Sequence, residues 1–278
     1  MAPVSYILQA TVGCTHNKCT FCSMYKEKKF HTRKTEEILA DLQTAKARYH
    51  SVKRIFLADG DALALSMNRL RPIFEEIAQL FPDLEGVGIY ARATGITRKS
   101  HEDLMELNAL GLDIIYMGFE TGDEDILLDI KKNETTEDLI AAGQKVKETP
   151  IFLLATMLNG IGGQEKWQDH ALNSAKILNQ VQPNFIGLSA LLKDPDAPMY
   201  AQIESGEFQL LTPVQILQET KLILENLEID NCIFSTQHAI NYLSMQGVIP
   251  RGRDKLMETL DKGINDPSIL KDDSRRRL

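Results

Sequence analysis

Six short runs rich in β-branched and apolar residues recur along the first two-thirds of the chain, separated by stretches with helical periodicity. The sequence predicts strands over 5–12, 53–58, 86–91, 113–118, 151–158 and 184–191. Several of these runs are apolar throughout rather than alternating, which is the pattern of strands covered on both faces. Start signals mark the helices between them. Thr35 stands ahead of Glu36 and Glu37, and Ser100 with Asp103 reads as a capping box. Thr212-Pro213-Val214-Gln215 combines a capping residue, proline at the first helical position and glutamine at the third. Further helices are predicted near 67–80, 123–130, 136–148 and 165–180.

Strand–helix units in series require a parallel sheet, because each helix carries the chain back to the same edge. The expected class is therefore α/β. An open doubly wound sheet and a barrel both satisfy the pattern. A complete eight-unit barrel takes about 250 residues, and only six units fit before residue 191. The expected architecture is a partial (β/α)6 TIM-like barrel over 1–192, with a mostly helical C-terminal cap over 193–278 that packs on the core and faces substrate.

Three of the four cysteines fall within nine residues, in "GCTHNKCTFC", as C-x4-C-x2-C. They follow directly on the first predicted strand and so occupy the first βα loop, at the sheet end where parallel α/β proteins build their sites. Four cysteines in a long chain do not make a disulfide framework, and clustering points to metal or redox chemistry. Cys14, Cys19 and Cys22 with one ligand missing suit two centres. One is zinc, with His16 or His31 as the fourth ligand. The other is a [4Fe–4S] cluster held through three irons, its fourth iron open to an exogenous ligand. Cys232, far along the chain, reads as a core residue.

With 43% apolar and 25% charged residues, the 278-residue chain has ample material for a core. Its apolar runs are too short to span a bilayer, and the opening MAPVSYILQATVG lacks a basic region and a cleavage site, so a cytoplasmic location is expected. A formal net charge of −8 argues against a general nucleic-acid binder. Arg275-Arg276-Arg277, after Lys271-Asp272-Asp273-Ser274, reads as a frayed polar tail.

A first βα loop with Cys-(x)n-Cys-x-aromatic-Cys, Phe21 being the aromatic, resembles the radical S-adenosylmethionine (SAM) superfamily. The first gap holds four residues, Thr15-His16-Asn17-Lys18, where three are common. The resemblance implies a [4Fe–4S] cluster on Cys14, Cys19 and Cys22 whose open iron is chelated by the amino and carboxylate groups of SAM. It also implies reductive cleavage of SAM to a 5′-deoxyadenosyl radical that removes hydrogen from substrate. Phe21 and the segment Asp59-Gly60-Asp61 would lie against SAM, the latter where the family has a Gly-Gly-Glu stretch that receives the ammonium. Arg92 and Thr94 end the third strand near the mouth, and the resemblance makes Arg92 a SAM residue.

The segment "GFETGDEDILLDIKKNETTEDL" is similar to that of the branch containing oxygen-independent coproporphyrinogen oxidase and the methylthiotransferases. By that likeness Glu120 contacts the SAM ribose or amino group, and Lys132 pairs with its carboxylate. Thr156, Leu158 and the turn beginning at Gly160 would meet the adenine side, as would Ala190 on the sixth strand.

No second cysteine cluster and no cobalamin-binding segment are present, and the chain is shorter than the coproporphyrinogen oxidases. What the resemblance implies is then a single-cluster radical SAM enzyme, an oxidoreductase, lyase or transferase, acting on a small molecule or peptide. A reductant such as flavodoxin or ferredoxin is implied as its partner. His238 and Asn241, beside a Pro-Gly-rich turn, are candidate substrate contacts, and no catalytic residue is assigned. The competing expectation is a zinc- or cluster-binding structural protein without turnover. A barrel enzyme using Asp59, Asp61 and Glu120 for acid–base or metal chemistry is a third, which leaves the cysteines unexplained.

Overall fold

The computed structural model describes residues 4–276. It divides into two compact units, the first made of the described residues of Met1–Asn17, Met24–Met117 and Ala141–Leu153. This unit begins with strand β1 (Val4–Gln9), a short hairpin pairing β2 (Thr11–Val12) with β3 (His31–Thr32), and helix α1 (Thr35–Arg48). Then come β4 (Val52–Ala58), α2 (Met67–Leu80), β5 (Gly86–Ala91), the short α3 (Ala93–Thr97), α4 (His101–Ala109) and β6 (Leu112–Glu120). β1, β4, β5 and β6 run side by side and parallel, with Leu8 opposite Leu57, Ile55 opposite Val87 and Tyr90 opposite Tyr116.

One face of these strands carries Leu8, Ile55, Leu57, Val87, Ile89 and Ile115, all at most 1% exposed. Against it lie Ile38, Leu42, Leu70, Ile73, Phe74 and Ile77 from α1 and α2. On the other face the rings of Phe56, Tyr90 and Tyr116 meet edge-on with centroids 4.6–5.8 Å apart. The α4 capping box is formed, Ser100 Oγ accepting from Asp103 N at 3.0 Å and Asp103 accepting from Ser100 N at 2.9 Å. Thr35 is the first residue of α1, and Lys34 is its cap residue.

The second unit comprises the described residues of Lys18–Ser23, Gly118–Ile140 and Leu154–Leu278. It holds α5 (Glu124–Asp129), the start of α6 (Thr136–Lys147), most of β7 (Phe152–Asn159), α7 (Gly163–Val181), β8 (Phe185–Ala190), α8 (Tyr200–Ser205), α9 (Pro213–Asn226), β9 (Cys232–Ser235), β10 (Gln246–Ile249) and α10 (Arg253–Asn265). β7, β8 and β9 are parallel neighbours, and β10 returns antiparallel to β9. The Thr212/Gln215 capping box starts α9 with Pro213 at its first position.

Six strands thus occur where sequence periodicity places them, with ends shifted by a residue or two. The first predicted run divides at Ala10 into β1 and β2: Ala10 N still bonds Ala58 O of β4 at 2.6 Å, whereas Thr11 and Val12 pair with β3. The C-terminal segment is mostly helical and also contributes the two short strands β9 and β10. The predicted frayed tail is corrected. The Arg276 side chain is 6% exposed, with its guanidinium 3.8 Å from the Tyr242 ring centroid and bonds to Ile240 O and Leu191 O. A planar cation that can stack and donate in several directions is held where a flexible basic tail was expected. Arg277 lies outside the described residues.

Candidate active site

In the first unit the sequence N-terminal to the cysteines is tied to the end of β4. Gly13 N and Gln9 Nε2 both donate to Asp59 Oδ2 at 3.0 Å, and Asp59 N donates to Thr11 Oγ1 at 3.1 Å. Cys14 lies against the next residue. A Cβ added to Gly60 would sit 3.2 Å from the Cys14 Cβ and 2.7 Å from the Tyr25 ring, so only glycine lets the two loops approach this closely. Thr15 Oγ1 donates to Asp61, which is 1% exposed, and the other Asp61 oxygen accepts from Arg92 N at 3.1 Å. Carboxylates that accept backbone N–H groups and neighbouring hydroxyls hold loops rigidly. Asp59 and Asp61 thereby join three strand ends and the first cysteine.

In the second unit Cys19 and Cys22 flank a segment anchored on both sides. Thr20 N donates to Ile130 O at 2.9 Å, and Thr20 O accepts from Met199 N at 2.8 Å. Phe21 packs on an apolar cluster of Ile126, Ile130, Leu158, Ile161, Leu191 and Met199. Phe21 and Leu158, both expected near the adenine-bearing cosubstrate, are thus brought to one apolar patch.

Glu120 ends β6 with a left-handed backbone, φ 65°, a conformation that L-residues adopt at a cost. Lys132 is 4% exposed, and its Nζ lies 3.6 Å from Glu120 and 3.3 Å from Glu134. Burial raises the Glu120 carboxyl above its usual range, against the pull of Lys132. Two acidic side chains and one lysine are thereby gathered, largely out of water, at and just after the end of β6.

Gly160, at the turn after β7, has φ 84°, where glycine alone is at ease. Its N–H donates to Glu219 of α9 at 2.7 Å. Thr156 is half-buried in β7 opposite Gly187. Ala190, fully buried at the end of β8, donates its N–H to Asn241 Oδ1 at 2.8 Å. Asn241 Nδ2 donates to Leu188 O and Thr236 O. Asn241 therefore spends its amide on backbone groups of β8 and of the residue after β9. His238 is exposed, its Nδ1 accepting from Ile240 N at 3.3 Å.

A cavity of about 630 Å³ opens in the second unit. It is lined among others by Ser23, Gly160, Leu191, Tyr242, Asp273 and Arg276, and so begins one residue beyond the third cysteine. Ser23 donates to Asp194 on the cavity's wall. Sequence reasoning missed Ser23, Glu219, His170 and Arg276. No short motif joins residues so far apart in the chain, and the only early signal was a histidine and a glutamate at inward-facing positions of otherwise apolar helix stripes.

A family model described as the Radical SAM superfamily matches residues 8–173. The chain is 23% identical over 223 residues to the uncharacterized protein YtqA of Bacillus subtilis (strain 168), covering 77% of this chain and 66% of that protein. It is 20% identical over 186 residues to the heme chaperone HemW of the same organism, covering 66% and 48%. The chain thus spans about two-thirds and about half of the lengths of these relatives. Coproporphyrinogen III oxidase (HemN) of Escherichia coli superposes with a TM-score of 0.58 at 17% identity, over 80% of this chain and 52% of that one.

The chain belongs to the radical SAM superfamily. Its fold is of the α/β, partial TIM-like barrel class with a helical cap, and the likeness to solved structures at under 25% identity concerns that fold. The cofactors of the superfamily are a [4Fe–4S] cluster and SAM. The loop's thiols match in number the three donors that such a cluster takes. Cys14, Cys19 and Cys22 are partly accessible thiols on one loop, whereas Cys232 is wholly buried in β9, leaving three donors rather than four. Thr20, next to Cys19, carries a buried hydroxyl that meets no partner among the described residues, as a donor facing an absent acceptor does. Among the described residues, no helix is long and apolar enough to cross a membrane.

Proposed function

We propose that this protein is a single-cluster radical SAM enzyme whose three loop cysteines, Cys14, Cys19 and Cys22, hold the cluster and whose strand ends hold SAM. The observation that carries the proposal is the trio itself, anchored on either side by Asp59 and Thr20, with the remaining cysteine buried in a strand. When bound, cluster and SAM supply the one-electron chemistry that generates a 5′-deoxyadenosyl radical. The polypeptide orients and shields.

Phe21 and Leu158 offer an apolar patch to the adenosine side, beside the Gly160 turn and the end of β8 at Ala190. The Glu120, Lys132 and Glu134 group sets opposed charges at the end of β6 for the zwitterionic part of SAM, Lys132 for its carboxylate and Glu120 for the ribose or ammonium. Gly60 and Arg92, fixed through Asp59 and Asp61, complete the strand-end set in the first unit.

The substrate is a small molecule or a peptide side chain that enters the cavity beside Ser23, with residues 193–278 as its wall and cap. A volume of about 630 Å³ suits a metabolite-sized group. His238, exposed and accepting at its backbone O from Asn241 N at 3.1 Å, is a further substrate contact in this reading. Turnover needs an external one-electron donor of the flavodoxin or ferredoxin kind.

The test is electron paramagnetic resonance of the anaerobically reconstituted, dithionite-reduced protein, with iron and sulfide quantified. Four irons per chain and a signal that changes when SAM is added support the proposal. A colourless protein that takes up zinc, or a cluster signal indifferent to SAM, contradicts it.

A further inference from the structure

The second unit buries a histidine and a glutamate that the SAM site as described does not use. Glu219 projects from α9 and His170 from α7, and both side chains are 0% exposed. Glu219 Oε1 accepts the N–H of Gly160 at 2.7 Å and stands 3.7 Å from His170 Nε2. At its other end His170 places Nδ1 2.8 Å from Thr121 Oγ1, with Ser174 Oγ at 3.5 Å. Thr121 follows Glu120 directly, and Gly160 opens the turn after β7. Four side-chain and backbone groups therefore form one buried line running from the end of β6 to the end of β7.

We propose that Glu219 and His170 are positioning residues for SAM, clamping the Thr121 and Gly160 strand ends to each other through a single contact between two buried polar side chains. The inference rests on the functional proposal that Glu120 and the Gly160 turn face SAM.

Three observations support the clamp. First, Gly160 N lies just past the end of β7, is buried, and finds its acceptor in the Glu219 side chain at 2.7 Å rather than in a neighbouring strand. Second, Glu219 Oε2, His170 Nε2 and Asn159 Oδ1 are buried and meet no hydrogen-bond partner among the described residues. Apolar residues would fill the same volume without that cost, so the polar groups are retained for what they hold in place. Third, the neighbouring residue on α9 repeats the arrangement, Thr220 Oγ1 accepting from Asn159 Nδ2 at 2.6 Å. Two consecutive α9 side chains thus grip two consecutive residues of the β7 end.

The clamp is uncharged at neutral pH. Burial raises the Glu219 carboxyl to about 8, while burial lowers His170 to about 4 despite Asp123 nearby. His170 Nδ1 shares a hydrogen bond with Thr121 Oγ1, and His170 Nε2 faces Glu219 Oε1 at 3.7 Å. A glutamine at 219 reproduces that state, with an oxygen for Gly160 N and a donor in place of the acid proton.

The test is SAM affinity by equilibrium dialysis, on reconstituted wild type, Glu219→Gln and Glu219→Leu, with folding checked by circular dichroism. Glu219→Gln is expected to hold SAM within threefold of wild type, and Glu219→Leu to bind at least tenfold more weakly, with KM for SAM raised more than kcat is lowered. Equal affinity in wild type and a folded Glu219→Leu overturns the clamp alone. Wild type that carries its cluster and binds no SAM overturns the functional proposal and the clamp together.

Should Glu219→Leu fail to fold, Thr121→Val cuts the line at its far end without changing volume. Amide exchange in a peptide spanning 157–163 should then speed up at least fivefold. Unchanged exchange there contradicts the clamp.

Discussion

The carboxylate of Asp59 accepts the backbone N–H of Gly13 at 3.0 Å, one residue ahead of Cys14. An acidic residue at the end of β4 thereby fixes the takeoff of the cysteine loop. Asp59→Ala removes this bond and the one to Gln9, and charged hydrogen bonds of this kind contribute about 2 kcal/mol. The expected result is a melting temperature lowered by about 5 °C, with reduced iron retention after desalting. Asp59→Asn keeps an acceptor and should lie between. Iron content equal to wild type in Asp59→Ala would show that the loop is held elsewhere.

Lys132 sits between Glu120 and Glu134 with almost no exposure. Lys132→Met leaves two carboxylates facing each other out of water, and loss of one member of a buried ionic group costs about 3–5 kcal/mol. Urea denaturation should register that loss, and SAM affinity should fall with it. Pairing Lys132→Met with Glu134→Gln should restore much of the stability and none of the affinity. Recovery of both would make Lys132 a structural ion-pair partner only.

The Glu219–His170 pair predicts a shaped pH dependence of stability. Glu219 is raised from its ordinary 4.5 to about 8, so its contribution is complete below 4.5 and is lost as pH climbs through 8. His170 is lowered from 6.5 to about 4, so its contribution is complete above 6.5 and is lost as pH falls through 4. Between 4.5 and 6.5 the two slopes oppose each other. From 6.5 to 8 only the Glu219 slope remains, worth about 2 kcal/mol. Urea titrations of wild type and Glu219→Gln at pH 6.5 and 8 should therefore diverge by about that amount, the variant losing less. Parallel curves would mean that the carboxyl is already ionised in the folded chain.

Arg276 lies 3.8 Å from the Tyr242 ring centroid and donates to Leu191 O at 3.1 Å and Ile240 O at 2.6 Å. Arg276→Ala should lower stability by about 2 kcal/mol through lost stacking and hydrogen bonds. Amide exchange should rise around 191–196, along the cavity wall. Exchange confined to the last few residues would instead mark the tail as an appendage.

Much of this architecture was legible in the sequence because its signals are local. The β-branched runs, the Ser100/Asp103 and Thr212/Gln215 caps and the cysteine spacing each depend on neighbours a few residues apart. What escaped depends on distance along the chain. Asp59 reads as a turn residue until Gly13 and Gln9, some fifty residues earlier, are found bonded to it. Glu219 and His170 interrupt apolar helix faces, yet nothing in either helix says that their partners are Gly160 and Thr121. Asn241 is the opposite lesson. The sequence offers it as a substrate contact, and its amide bonds three backbone groups, two in β8 and one just after β9, that no local pattern announces.

The central claim is that Cys14, Cys19 and Cys22 support reductive cleavage of SAM. It is tested most directly by reconstituting the protein anaerobically with iron and sulfide, adding dithionite and SAM, and measuring 5′-deoxyadenosine by chromatography. Wild type should produce it, and the variant with all three cysteines replaced by alanine should produce none. Equal 5′-deoxyadenosine from both, or none from a wild-type protein that carries four irons, would contradict the claim.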